Sequence, residues 1–248
     1  MPEAPIIKLL NLGCGYKASP SPEVINIDWS VALRFKKNPL LRQFAPLFFR
    51  GERWQRYRAL PENILVHDLS RGLPFAENSA AAIYHSHLLE HLDQATAEIF
   101  LREIKRVLQP GGVVRIAVPD FEKLARAYLR HVEQCEHENG ARRHHDQYLA
   151  AMIEQCVRRE AAGTRQQSPV RRWLENLLLG DARRRGEIHQ WMYDRINLGE
   201  LLLRLGYKDP QTQKFNTSHI PRWNEYGLEL NEAGGEYKPD SFYMEARK

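Results

Sequence analysis

Ile6-Ile7-Lys8-Leu9-Leu10-Asn11-Leu12 runs directly into Gly13-Cys14-Gly15, and this junction decides the fold class. A short apolar run of this kind is the pattern of a strand buried within a parallel sheet. The two glycines then mark a tight turn, where backbone without side chains takes positive φ and lies close to whatever sits above it. Reading outward, Val24-Ile25-Asn26-Ile27-Asp28 is a second apolar run closed by a carboxylate, and Asn63 to Val66 followed by His67-Asp68 is a third. Ala80 to Ser86 and Val113 to Val118 predict a fourth and a fifth strand. Between them, Ala95 to Leu108 sets Ile99, Ile104, Val107 and Leu108 at helical spacing, and Gln109-Pro110-Gly111-Gly112 predicts a type II turn.

Strands alternating with helical segments predict an α/β fold with a doubly wound, mostly parallel sheet, in which ligands bind outside the carboxyl ends of the strands. Asn197 to Leu205 predicts a helix stopped by Gly206. Phe215 and Ser241 to Arg247 offer two late strands that pair antiparallel at the sheet edge. The expected organisation is one domain over residues 1–248, with insertions at about 31–60 and 122–187 forming a helical cap.

A chain of 248 residues with 43% hydrophobic content can build a sizeable core. Its apolar runs fall far short of the roughly 18 residues that suggest a membrane span. Met1 to Leu10 lacks the features of a secretory signal. Cys14, Cys135 and Cys156 form no C-x-x-C pair, which suits a reducing compartment, so a cytoplasmic location is expected and neither a disulfide framework nor structural zinc is. The net charge of +5 is concentrated in Arg34 to Arg58 and Arg142 to Arg185. In the first of these, arginines alternate with Leu40, Leu41, Phe44, Leu47, Phe48, Phe49 and Trp54. That mixture suits an anionic membrane surface, a site for an acidic substrate, or a cap with solvated arginines. No nucleic-acid recognition motif is present.

Asp28, closing the second strand, is placed to accept hydrogen bonds from the vicinal hydroxyls of a ribose; a solvated loop aspartate is the plainer alternative. Gly13-x-Gly15-x-x-Ala18 formally fits a dinucleotide fingerprint. However, Pro20 and Pro22 disfavour the helix whose amino terminus would hold a pyrophosphate, so an NAD-dependent oxidoreductase is the runner-up. His87-Leu88-Leu89-Glu90-His91 matches H-x-x-E-H, a zinc-peptidase pattern, yet it follows a strand directly instead of lying within a helix. No metal is expected there, and Glu90 and His91 are read as capping a helix start. His144-His145-Asp146 is read as a solvated helix face. For an oxygen acceptor, His189, His87 and Asp120 are the candidate general bases near the active edge.

Taken in order, Leu10-Asn11-Leu12-Gly13-Cys14-Gly15, Asn26-Ile27-Asp28, His67-Asp68-Leu69, Leu73-Pro74-Phe75, the segment His85 to Leu92 and Arg106 to Gly112 resemble the class I methyltransferases. With His189 to Tyr193 and Lys238 to Ser241, the chain more narrowly resembles small type 11-like methyltransferases of bacterial polysaccharide assembly. The resemblance implies a Rossmann-like sheet and S-adenosylmethionine as cofactor. Asn11 and Gly13, Cys14 and Gly15 would surround its methionine moiety, and Asp28 with Trp29 its ribose. Asp68 and the Leu69 N–H would read adenine, and the His85 carbonyl would meet the methionine ammonium. The acceptor implied is a small or lipid-linked molecule, such as a sugar hydroxyl, and His189 would face it. Asn11 stands where many relatives carry an acid, and Lys17 where a third glycine is frequent. A non-catalytic cofactor-binding subunit is the non-enzymatic alternative.

Overall fold

All four residues of strand β1 (Leu9–Leu12) are buried, as an apolar run between two neighbouring strands requires. The computed structural model describes residues 6–138, 140–156 and 189–248. Among these, six further strands follow: β2 (Val24–Asp28), β3 (Ile64–Val66), β4 (Ala80–Ser86), β5 (Leu108–Pro119), β6 (Lys208–Gln213) and β7 (Ser241–Arg247). They form one sheet in the order β3-β2-β1-β4-β5-β7-β6. β1 to β5 run parallel, and β7 is antiparallel to both β5 and β6. The sheet is therefore mostly parallel and Rossmann-like, with its reversed strand one place in from the edge. The chain leaves β1 toward β2 and β3, then returns to β4 on the other side of β1. The topological switch point thus lies between β1 and β4.

Helix α1 (Val31–Lys37), α2 (Pro39–Phe48) and α3 (Glu52–Arg58) occupy the first insertion. α1 docks through Leu33 beside Cys14 and Ile64. α4 (Gln94–Val107) begins at Asp93, whose carboxylate accepts from the Thr96 N–H at 2.9 Å. Its buried face is Ala97, Phe100, Leu101, Ile104 and Val107. Ile99, expected on that face, is exposed, because two residues beyond Ala97 is about 200° around the helix. α5 (Phe121–His137) and α6 (His145–Cys156) begin the second insertion; its residues 157–187 lie outside the described residues. α7 (Arg195–Arg204) is capped reciprocally by Asp194 and Asn197.

One expectation is corrected in the sheet and one refined. Gly111, third in Gln109 to Gly112, has the φ of +74° that a type II turn requires, but pairing of β5 with β4 resumes across it, from Leu108–Ala80 to Val113–Ala82, so the segment is a bulge within β5. The Gly112 carbonyl accepts from the Lys248 N–H at 3.0 Å, which holds the bulge to the end of the chain. The late strand that pairs with β7 is Lys208–Gln213 and not a strand at Phe215. The Lys214 N–H bonds to Thr217 Oγ1 at 3.0 Å, a turn that takes Phe215 out of the ladder.

α4 and α7 cover one face of the sheet, with Leu10, Leu12, Ile83, Val114, Ile116 and Phe242 beneath them. The opposite face is covered by Ile220, Trp223, Tyr226 and Leu228 from the segment before β7. On that side Arg115 of β5 is fully buried. It pairs with Glu229 at 2.5 Å and Glu245 at 2.8 Å, and donates to the carbonyls of Lys214 and Thr217. Burial pushes the Glu229 carboxyl up to about 7, against the pull of Arg115.

Candidate active site

The carboxyl ends of β1 to β5 deliver Gly13, Asp28, His67-Asp68, His87 and Asp120 to one edge of the sheet, and the switch point sets the first and fourth of these ends side by side. Gly13 and Gly15 take φ of +62° and +52°, a region that side-chain-bearing residues rarely adopt. A Cβ on Gly13 would stand 2.3 Å from Leu88 Cδ1, whereas one on Gly15 would meet nothing within 4 Å. The positive φ therefore favours glycine at both positions; a Cβ at the first also requires the end of the Leu88 side chain to shift, and the backbone at the second lies under open space.

Asp28 fastens this turn. The Gly15 N–H donates to Asp28 Oδ2 at 2.7 Å and the Ser30 N–H to Oδ1 at 2.6 Å. Asn11 Nδ2 donates to the Lys17 carbonyl at 3.1 Å and to Asn26 Oδ1 at 3.0 Å. An acid at that position has no donor for either bond. Lys17, where relatives often have glycine, sends its amine to the Leu230 carbonyl at 2.6 Å, over the Tyr237 ring. Burial and the charge of Asp28 push the Cys14 thiol up, so it stays protonated. Trp29 is exposed with Arg34 over its ring at 5.0 Å.

Asp68 Oδ1 accepts from the Ser70 N–H at 3.0 Å and from Ser70 Oγ at 2.7 Å. It thereby caps the single 3₁₀ turn that Leu69 opens. His85 is fully buried, its ring against Phe100 at 5.5 Å. Burial pushes its pKa down to about 4, so the imidazole is neutral.

His87 has φ of +51°; its Nε2 is hydrogen-bonded, and its Nδ1 faces a carboxylate by charge, since neither oxygen of Glu90 has a hydrogen-bond partner among the described residues. Nδ1 lies 3.3 Å from Glu90 Oε1, and Nε2 lies 2.8 Å from Ser241 Oγ at the start of β7. Glu90 is fully buried in the 3₁₀ turn Leu89–His91. Burial acts to raise its pKa, yet His87 and His91 outweigh that and hold it below the ordinary range. A buried, ionised carboxylate is thus kept behind a partly exposed imidazole.

His189 is brought to the same place. The Gln190 N–H donates to the Glu90 carbonyl at 2.7 Å, Gln190 Nε2 donates to the His91 carbonyl at 2.7 Å, and the His189 ring lies edge-on to His91 at 4.8 Å. The buried Tyr193 hydroxyl is pushed up by burial and by Glu90. Asp120 caps α5 by accepting the Lys123 N–H at 2.9 Å, and its own N–H donates to the Asp240 carbonyl at 2.9 Å. Among the described residues, two groups hold metal-capable atoms within 4.8 Å of one another: Glu90 with His91 and His189, and His131 with Cys135 and His145. The Glu90–His87–Ser241 chain was not visible in the sequence, because Ser241 lies 154 positions from His87. A shallow cavity lined by Val113, Asp209, Gln211 and His219 lies at the opposite end of β5, away from this edge.

No curated protein matches the sequence. In fold the chain is similar to an S-adenosylmethionine-dependent methyltransferase from Archaeoglobus fulgidus, at 14% identity over 98% of this chain and 86% of that one, with a TM-score of 0.41. It is similar to one from Mesorhizobium loti at 16% identity, over 100% and 94% of the two chains, with a TM-score of 0.43. A third similar structure, from Methanosarcina mazei, has 15% identity over 97% and 91% and a TM-score of 0.43. Residues 50–116, which carry β3, β4, the His85 to Leu92 segment, α4 and most of β5, match the family described as a methyltransferase domain. By that match, the stretch from α3 into β5 is similar to the methyltransferase domain family, and it is set in a Rossmann-like mixed sheet.

Proposed function

We propose that the chain is a class I methyltransferase that binds S-adenosylmethionine at the switch point and methylates an oxygen of a small or lipid-linked acceptor. The observation that carries this reading is the Gly13 to Gly15 turn fastened to Asp28. A carboxylate offers about four lone-pair sites, and two are engaged by Gly15 and Ser30. Each oxygen therefore keeps an acceptor site for one of two vicinal hydroxyls, and the open space above Gly15 leaves room for the group that bears them. The residues fit the cofactor. They fit a pyrophosphate poorly, because Gly13 to Glu23 contains no helix and so presents no helix amino terminus to it.

When bound, the cofactor supplies a sulfonium methyl group for in-line displacement. The protein's part is to align the acceptor and take its proton. Of the candidate bases, His87 has its Nε2 bonded to Ser241 and its Nδ1 facing Glu90, whose charge stabilises the imidazolium that forms. An acceptor hydroxyl that replaces Ser241 Oγ at Nε2, or passes its proton through it, loses that proton to His87. His189, packed on the Glu90 turn, supports it, and Asp120 remains as a cap.

A lipid-linked acceptor gains support from α2. Leu40 and Leu47 are 71% and 65% exposed, with Phe44 and Phe48 beside them and Arg42 and Arg50 adjoining. Such a face suits peripheral contact with an anionic membrane. A sugar hydroxyl in glycan assembly is the acceptor favoured by the motif resemblance. Transfer of labelled methyl from S-adenosylmethionine to saccharide and lipid-linked saccharide acceptors tests the reading. His87→Ala should lower turnover by roughly 10²–10⁴. If His189→Ala alone does so, His189 is the base; if no acceptor of this class is methylated while NADH is oxidised, the reading fails.

A further inference from the structure

Away from the strand ends, α5 and α6 bring together three side chains. His131 and Cys135 stand one turn apart on α5, and His145 opens α6. Cys135 Sγ lies 3.5 Å from His131 Nε2. The rings of His131 and His145 stack at 5.5 Å, and Tyr148 stacks on His131 at 4.0 Å. One ligand atom from each of the three lies within 4.8 Å of the others. His145 is turned inward while His144 and Asp146 are exposed, which corrects the expectation of a solvated face for all three. Its Nδ1 is buried without a hydrogen-bond partner among the described residues. The connection is fixed by Arg142 Nε, which donates to the Cys135 carbonyl at 3.0 Å, and by the Ala141 N–H, which donates to the Glu138 carbonyl at 3.1 Å.

We propose that His131, Cys135 and His145 form a binding site for one zinc ion that fastens α6 to α5. A thiolate with two imidazoles is a ligand set for a borderline-soft divalent ion. Zinc–sulfur and zinc–nitrogen bonds of about 2.3 and 2.05 Å, at a tetrahedral angle, put the two ligand atoms about 3.5 Å apart. Cys135 and His131 already have that separation. A thiol–imidazole hydrogen bond also accounts for this pair, but it leaves the buried His145 nitrogen without a partner, whereas a metal engages all three residues. On binding, the Cys135 S–H releases its proton to solvent as the zinc–sulfur bond forms. The imidazoles bind neutral, and water takes the fourth position. The sequence-based expectation was of no metal. The proposal departs from it because His145 reaches α5 only through the α5–α6 connection, which spacing along the chain does not reveal.

The test is titration of the metal-stripped full chain with Zn²⁺, followed by Co²⁺ substitution. One zinc per chain and a thiolate-to-cobalt charge-transfer band are expected. Cys135→Ser should abolish the band and His145→Ala should weaken zinc at least tenfold, with folding checked by circular dichroism; Cys14→Ser should keep the band. The proposal is overturned if the wild-type chain gives no band, if the band survives in Cys135→Ser, or if His145→Ala binds zinc as tightly as wild type. Loss of zinc in Glu90→Gln with retention in Cys135→Ser places the ion on Glu90, His91 and His189 and equally overturns it.

Discussion

Glu90 shows what a single residue contributes at this edge: a carboxylate with no exposed surface, kept ionised by the histidines around it. If its charge stabilises the imidazolium of His87, Glu90→Gln should lower turnover with cofactor affinity little changed. Turnover within a few-fold of wild type would show that Glu90 is only structural. Ser241→Ala removes the hydrogen bond at His87 Nε2 but leaves the Glu90 charge behind the ring, and should reduce turnover by several-fold only. The glycines and Asp28 were legible in the sequence because each sits directly at the end of a readable strand. Glu90 was legible only as a cap, since its burial depends on the later segment from His189 to Tyr193 folding over it. The side chains of Asn11 and Asp68 turned out to hold local structure, a use that depends on partners such as Asn26 and Ser70.

At the level of elements, the sheet carries two pH dependences of opposite sign. The Glu229 carboxyl is raised from 4.5 to about 7, so its stabilising contribution is present below the lower value and lost as pH rises through the upper one. Glu229→Gln should flatten a decline in Tm across that window, and a decline unchanged in the variant would exclude Glu229 as its cause. The His85 ring is depressed from 6.5 to about 4, so its contribution is present above the upper value and lost as pH falls toward the lower one. Arg115→Met, which leaves Glu229 and Glu245 buried without their cation, should cost about 3–5 kcal/mol in denaturant unfolding. Most strands and α4 were readable from apolar runs and helical spacing. The bulge at Gln109 to Gly112 was not, because local turn chemistry does not reveal that Lys248 pairs with it. Nor was β6, whose Lys208-Asp209-Pro210-Gln211-Thr212-Gln213 is polar as an edge strand can be.

For the molecule as a whole, the apolar face of α2 among its arginines sets the expected partner surface. No helix among the described residues is long and apolar enough to cross a membrane. Binding to anionic vesicles should weaken steeply with salt, since exposed charges are screened beyond roughly 8 Å at physiological ionic strength. Leu40→Glu with Leu47→Glu should abolish it. Salt-independent binding would mean that apolar insertion dominates. The methyl-transfer assignment itself meets its most direct test in calorimetric titration of the purified chain with S-adenosylhomocysteine and with NAD. The expected result is one site for S-adenosylhomocysteine, weakened in Asp28→Ala by about 1.5–3 kcal/mol, roughly ten- to a hundredfold in Kd, and no heat from NAD. Because Asp28 also holds Gly15, Asp28→Asn, which keeps one carbonyl acceptor, should fall between the two. Saturable binding of NAD, or an unchanged Kd for S-adenosylhomocysteine in Asp28→Ala, would contradict the assignment.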